Sequence, residues 1–328
     1  MVKICLAANS GGHLNELLRY GDFYGKYERF FVTDGHRSTE SLQAGERVYF
    51  VGKFILLECV SKADFVRPLK NLFQSFRILL RERPDVVVTT GVATAFGVGV
   101  LCRLFGSRLV FIESIARTKS PSKFGRLIYP IANLTLVPWE NMLRHYPKGV
   151  YVGFKLDLPE RKSPASLKRI FLTVGTQKTQ FNMLIREMDR LVEVGEIKAK
   201  ATAQIGGSDY LPRNFEYVVY SSPEEVKMMT DEADVVVTHG GVGSITYALQ
   251  KGKPVVAVPR LKSQGEYFDD HQLQLVGELA KLGLILPVYD ICDLGSAIKK
   301  SADHTPKPFS VKNTRVEVLD RFIQEFKG

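Results

Sequence analysis

Cysteine is scarce in this 328-residue chain: Cys5, Cys59, Cys102 and Cys292 lie far apart, and none belongs to a CxxC pair. Three sit in apolar runs, the expected setting of buried thiols in a reducing compartment, which argues against a disulfide framework or a zinc site. No stretch approaches the roughly 20 apolar residues that a spanning helix needs. Residues 2–8 (VKICLAA) are apolar, but Gly11, Gly12 and His13 end the run at strand length, so no signal peptide is expected. Internal repeats and low-complexity tracts are also lacking. The expectation is a protein that is soluble or peripheral to a membrane.

What remains is ordinary globular composition, 45% hydrophobic and 24% charged, and enough chain for two cores. The net charge of +10 is unevenly placed. Residues 1–150 carry 21 Lys+Arg against 12 Asp+Glu, or +9; residues 151–328 carry 24 against 23, or +1. Such asymmetry directs the first half toward something anionic, whether nucleic acid, an acidic membrane surface or a phosphorylated lipid, with simple solubility as the plain alternative. Nucleic acid is the least favoured partner, because no recognised binding motif is present.

Strands and helices alternate. Short β-rich apolar runs stand at 2–8, 30–33, 48–51, 85–89, 108–112 and 134–137, then at 170–174, 201–205, 217–220, 234–238, 254–258 and 284–286. Most are apolar on both faces, as buried parallel strands are. Helical patterns fill 13–21, 66–82, 94–105, 181–193, 223–230, 244–250 and 268–282, and 309–326 is amphipathic. Alternation of this kind means α/β with parallel sheets. The charged, Pro- and Ser-containing stretch 153–169 breaks the pattern, and each half opens with a strand running into a glycine turn. Two doubly wound domains in tandem are expected, over 1–155 and 165–305, with a final helical segment, 306–328, that could pack back on the first.

Six segments hold chemistry. Ser10-Gly11-Gly12-His13 follows the first strand and opens a helix, at the crevice where open α/β sheets bind ligands. His13 there suits two jobs, a general base for a hydroxyl or a plain helix cap. Thr90-Gly91 ends DVVVTT before a small-residue helix, as a loop under a ligand or as close helix–sheet packing. Glu113-Ser114 follows the strand LVFI; the carboxylate is either a structural acid or a partner for His13, expected on a neighbouring strand end. In ADVVVTHGGVGSITYAL a buried strand ends at His239, and Gly240, Gly241, Gly243 and Ser244 lead into a helix. Small residues and free amides at a helix start make an anion cradle, although neither a Walker loop nor GxGxxG is present. The polar cluster Gln264, Glu266, Asp269, Asp270, His271 and Gln272 could hydrogen-bond sugar hydroxyls; a third metal ligand at suitable spacing is missing. Last, Phe65, Leu69, Leu72, Phe73, Phe76, Leu79 and Leu80 recur at helical spacing among Arg67, Lys70, Arg77, Arg81 and Arg83. That is either a sheet-covering helix or a basic amphipathic helix on an anionic membrane, with Lys119, Lys123 and Arg126 extending the same surface.

The blocks Asn9-Ser10-Gly11-Gly12-His13, RPDVVVTTG, FIESIARTKSPSKFGRLIYPIANL, FLTVGTQ, ADVVVTHGGVGSITYAL, KGKPVVAVPR and GEYFDDHQL carry a resemblance over nearly the whole chain. It resembles a fusion of the two subunits of the eukaryotic transferase that adds the second GlcNAc to dolichol-linked oligosaccharide, acceptor subunit first and donor subunit second. The paired bacterial transferases of exopolysaccharide and capsule synthesis are equally similar. The resemblance implies a GT-B fold, two Rossmann-like domains facing a central cleft. It further implies an inverting transferase needing no metal or cofactor, with a UDP-sugar donor, a polyprenyl- or dolichyl-diphosphate-linked acceptor, and a peripheral place on the cytoplasmic membrane face. Carried over residue by residue, His13 would be the catalytic base and Glu113 its acidic partner or an acceptor contact, with Gly11, Gly12, Thr90, Gly91 and Ser114 beside the acceptor. Gly240, Gly241, Gly243 and Ser244 would hold the diphosphate next to His239. Asp270, His271 and Gln272 would face the donor sugar, and Gly175, Thr176 and Gln177 would line the cleft. Tyr247 departs from the glutamate usual in the eukaryotic donor subunit, and the bacterial relatives use UDP-glucuronic acid or UDP-galactose as well. A nucleotide-sugar epimerase or a non-catalytic lipid-binding scaffold would share parts of this plan.

Overall fold

A computed structural model describes residues 2–35, 40–43, 45–52, 54, 66–159, 166–176, 179–261, 270–306 and 313–325. Phe65, Gln177, Cys59 and the polar residues Gln264, Glu266 and Asp269 lie outside these. The chain divides into two compact units, Met1–Phe154 with Lys312–Gly328, and Lys155–Val311.

The first unit runs β1 (Lys3–Ala7), α1 (Gly12–Leu18), α2 (Gly21–Tyr24), β2 (Glu28–Thr33), α3 (Glu40–Gln43), β3 (Val48–Phe50), α4 (Val66–Glu82), β4 (Val86–Thr89), α5 (Phe96–Leu101), β5 (Arg108–Ile112), α6 (Lys123–Ile128), β6 (Leu134–Val137) and β7 (Val150–Tyr151). The second runs β8 (Arg169–Thr173), α7 (Asn182–Glu193), β9 (Lys200–Gln204), β10 (Glu216–Val218), α8 (Pro223–Glu232), β11 (Val235–Thr238), α9 (Val242–Gln250), β12 (Val255–Ala257), α10 (His271–Lys281), β13 (Leu286–Pro287) and α11 (Leu294–Ser301). The last helix, α12 (Arg315–Gln324), belongs to the first unit.

Both sheets are parallel throughout, in the order β3-β2-β1-β4-β5-β6-β7 and β10-β9-β8-β11-β12-β13. These are doubly wound sheets, and strand order reverses at β1/β4 and at β8/β11, where such sheets open a crevice at their carboxyl ends. The chemistry follows from burial. β4 and β11 both read VVVT and are buried at every residue, so they take the sheet centres. In the first unit alternate residues feed two cores. Ile4, Leu6, Val86 and Val88 pack with Leu319 and Ile323 of α12, whereas Cys5, Ala7 and Val87 pack with Leu79 of α4 and Val98. In the second unit Ile170, Leu172, Val235 and Val237 pack with α7 and with Leu294 and Ile298 of α11.

Several elements differ from their sequence reading. Short β7, α6 and α11 carry too little periodicity to stand out. On α4 the longest apolar side chains do not all face the sheet: Leu69 is 67% exposed, Phe73 61%, Phe76 43% and Leu80 50%, while Asn71, Ser75, Ile78 and Leu79 are buried. Among the described residues no helix is long and apolar enough to cross a membrane.

Candidate functional site

In the first unit the loop after β1 and the loop after β4 flank the switch point. Asn9 to Gly11 lead into α1, so half-buried His13 stands in its first turn. Thr90 is wholly buried and Gly91 lies against the Phe111 ring. β4 separates β1 from β5, so His13 and Glu113 do not stand on neighbouring strand ends, a correction to the sequence expectation. The gap is bridged by a residue that sequence reasoning missed. Glu16, one turn beyond His13 on α1, accepts the Ser114 hydroxyl at 2.8 Å and the Ile115 N–H at 3.2 Å. Its signal was a carboxylate at a buried helix position, i+3 from the histidine. Burial pushes the Glu16 carboxyl up, while the Ser114 bond and the nearby Arg315 guanidinium oppose the shift. Arg315 itself is buried on α12, 4.6 Å from the centre of the Tyr20 ring.

Glu113 is occupied by the protein. It accepts the N–H groups of Ser114 and Ser122 at 3.0 Å each, the Ser122 hydroxyl, and the hydroxyl of Tyr146. Burial raises its pKa, and the Tyr146 and backbone bonds work against that rise. What this carboxylate does in the fold is pin the β5–α6 loop; Ser122 at the same time caps α6 through the Gly125 N–H.

In the second unit the two glycine turns share one wall. His239, at the end of β11, is buried, and its Nδ1 stands 3.2 Å from the Thr173 carbonyl oxygen. A carbonyl accepts, so Nδ1 carries the proton. Burial and then the neighbouring Arg260 charge push the His239 pKa down to about 3, so the ring is neutral. It is clamped between glycines. A Cβ on Gly175, whose φ is +80°, would fall 2.6 Å from the ring, and one on Gly241 would fall 2.5 Å from it. Only glycine admits the ring at both places. Thr176 is exposed. The helix α9 begins at Val242, two residues before the expected start, so Gly243 and Ser244 lie in its first turn, where amides lack intrahelical acceptors. An added Cβ on Gly243 would meet nothing within 4 Å, whereas one on Gly240 would touch Val276 and Gln272. The open side of this turn is thus at Gly243.

A second missed residue braces these turns. Arg260 is fully buried and donates through Nη2 to the carbonyls of Val174 (2.9 Å) and Thr179 (3.1 Å), while its guanidinium lies 5.1 Å from the Phe181 ring. Gln272 accepts the Arg260 N–H at 3.1 Å and is buried, so its carboxamide oxygen serves the β12–α10 connection in this structure. Asp270 and His271 are half-buried at the start of α10. Tyr247 donates to the Asp231 carboxylate at 3.2 Å, which ties α9 to α8.

Comparison with known proteins matches these halves to two families. Residues 60–155 match the model of "Oligosaccharide biosynthesis protein Alg14 like", and residues 169–325 match "Glycosyltransferase family 28 C-terminal domain". The mouse UDP-N-acetylglucosamine transferase subunit ALG14 is 30% identical over 178 residues, 46% of this chain and 82% of that protein. The human subunit ALG13 is 32% identical over 126 residues, 36% of this chain and 11% of that protein. Among solved structures, MurG of Acinetobacter baumannii superposes with a TM-score of 0.64 at 15% identity, covering 99% of this chain and 100% of that one. A UDP-GlcNAc 2-epimerase from Neisseria meningitidis does so with a TM-score of 0.68 at 10% identity, with the same coverage. At such identities the likeness concerns the fold alone. The chain therefore belongs to the Alg14-like family, continued in the same polypeptide by a glycosyltransferase family 28 C-terminal domain, and it is a glycosyltransferase with the GT-B fold.

Proposed function

We propose that this protein moves GlcNAc from UDP-GlcNAc onto a polyprenyl- or dolichyl-diphosphate-linked sugar, with inversion and without a metal, at the cytoplasmic face of a membrane. The observation that carries the reading is the joining of an ALG14-like half and an ALG13-like half in one chain, since both relatives bear the name of UDP-N-acetylglucosamine transferase subunits.

The second unit takes the donor. The first-turn amides of α9, from Gly241 to Ser244, receive the diphosphate, and the positive helix end stabilises the charge that develops on UDP as it leaves. His239 and Arg260 hold the two glycine turns in register, and Gly175, Thr176, Asp270 and His271 line the donor side. The first unit takes the acceptor. His13 accepts the proton of the acceptor hydroxyl as its oxygen bonds to the anomeric carbon and the bond from that carbon to the phosphate oxygen breaks. Glu113 acts as a positioning group for the loop that includes Ser114. Gly11, Gly12, Thr90 and Gly91 shape the acceptor crevice.

The outward side chains of α4 rest on lipid. Leu69, Phe73, Phe76 and Leu80 form an exposed apolar stripe on one helix, beside exposed Arg67, Lys70 and Arg77. An apolar stripe with a basic margin suits an anionic bilayer surface.

The test is a donor screen with purified protein in EDTA. Short-chain polyprenyl-diphosphate GlcNAc and polyprenyl-diphosphate glucose are each offered UDP-GlcNAc, UDP-glucuronic acid, UDP-galactose and UDP-glucose, and the lipid product is weighed by mass spectrometry. A gain of one N-acetylhexosamine is expected. A gain of glucuronic acid or hexose would replace the donor assignment, and conversion of UDP-GlcNAc without acceptor would replace transfer by epimerisation.

A further inference from the structure

Helix α4 has two working faces. Its outer face is the apolar and basic stripe; its inner face presents a buried carboxamide to the loops around the switch point. Asn71 is fully buried, and its Nδ2 donates to the carbonyl of Thr94 at 3.0 Å and to the carbonyl of Gly52. The same Gly52 donates its N–H to Gln74, one turn further along α4, at 3.1 Å. Thr94 then donates its own N–H to the Asn9 side-chain oxygen at 3.2 Å. Asn9 accepts the Leu14 N–H through its carbonyl at 3.1 Å, closing the turn that contains Ser10, Gly11, Gly12 and His13. Three residues, Asn71, Thr94 and Asn9, therefore connect α4 to the turn bearing the histidine.

The contact is tight as well as polar. A Cβ on Gly97, at the start of α5, would fall 2.2 Å from the Asn71 Oδ1 and 2.6 Å from the Ser75 Oγ. Helices α5 and α4 therefore have little room to slide past one another. Asparagine is required by the chemistry of the pocket. Two carbonyl oxygens converge on one group, and only a neutral amide of this size supplies two N–H donors there.

We propose that Asn71 is a positioning residue that couples α4 to the His13 turn through Thr94 and Asn9, so that seating the outer face of α4 on lipid fixes the geometry of that turn. The proposal rests on the membrane reading of α4 given above. It assigns Asn71 no contact with substrate. The link is a contiguous set of hydrogen bonds, and coupling along it is measurable.

Amide hydrogen exchange on the full chain, with and without phosphatidylglycerol vesicles, tests it. In the wild type, vesicles should slow exchange over 66–82 and also over 9–14 and 90–95. Asn71→Asp keeps the size of the side chain but turns an acceptor toward both carbonyls. It should keep the protection over 66–82 and lose that over 9–14 and 90–95, by on the order of fivefold in rate, one hydrogen bond's worth of local opening. Gln74→Ala frees only the Gly52 N–H and should leave the 9–14 response intact. Should Asn71→Asp fail to fold, Asn9→Ala cuts the relay at its other end and should abolish the response over 9–14 while 90–95 still responds. Vesicle protection of 66–82 with no change over 9–14 in the wild type overturns the relay and leaves the membrane reading standing. Absence of protection over 66–82 overturns both.

Discussion

Glu16 on α1 accepts the hydroxyl of Ser114 beyond β5 at 2.8 Å, although β4 lies between their strands. A single carboxylate thus ties the helix that bears His13 to the loop held by Glu113. Removing it strands a buried hydroxyl and the Ile115 N–H. Glu16→Ala should destabilise the first unit by about 1–3 kcal/mol, the usual cost of leaving buried donors unpaired. Glu16→Gln keeps an acceptor but removes the charge that faces Arg315, so it should lose less. Denaturant unfolding of both variants checks the order, and equal losses would place the whole effect on the charge.

His13→Ala should lower the transfer rate by roughly 10²–10⁴-fold, the range of a lost general base. Donor affinity, measured by titration calorimetry with UDP, should stay near the wild-type value, because the groups proposed for the donor lie in the second unit. A rate within a few-fold of wild type would remove His13 from the chemistry.

Gly175→Ala should weaken donor binding and cost stability. Its φ of +80° disfavours any side chain by about 1–2 kcal/mol, and the new Cβ would press on the His239 ring. His239→Ala removes the ring, so the double variant should lose less than the two single losses added together. Thermal unfolding and UDP titration of the three variants give the cycle, and strict additivity would mean that the ring is not what excludes the Cβ.

The neutrality of His239 has a pH signature. Its folded pKa of about 3 lies below the ordinary value of 6.5, so the unfolded chain binds the extra proton first. The stability linked to neutral His239 is complete above about pH 6.5 and is lost as pH falls toward 3, at about 1.4 kcal/mol per pH unit. Unfolding free energies between pH 7 and 4 should therefore fall less steeply for His239→Asn than for wild type. Parallel slopes would show that the ring takes up its proton as readily in the folded protein as in the unfolded chain.

Phe73→Ser with Phe76→Ser should cut vesicle affinity at least tenfold, since burying one such side chain contributes about 1.5–3 kcal/mol. Arg67, Lys70 and Arg77 changed to Gln should weaken binding to anionic vesicles by about 1 kcal/mol each and spare binding to neutral ones. Co-sedimentation measures both, and unchanged binding would remove α4 from the membrane.

Much of the fold is written in short-range patterns. VVVT occurs at both β4 and β11, and a run of that composition is stable only with both faces covered, so parallel sheets follow from the letters. Ser222, Pro223 and Glu225 spell the start of α8, and the structure holds a capping box there. The two-residue β7 and the eight-residue α11 stay illegible, because β7 has no buried apolar run like VVVT and α11 is too short for a helical period to accumulate.

The sequence by itself determined the alternation of elements, the change of composition between halves and the glycine turns at strand ends, because each depends on neighbours in the chain. Only the tertiary structure decided which distant groups meet. That Glu16 serves Ser114, that Arg260 and Gln272 brace the glycine turns of the second unit, and that α4 buries Asn71 while exposing Phe73 all depend on strand order and helix rotation. Helical spacing shows that side chains share a face; the direction of that face is set by what the rest of the fold packs against it.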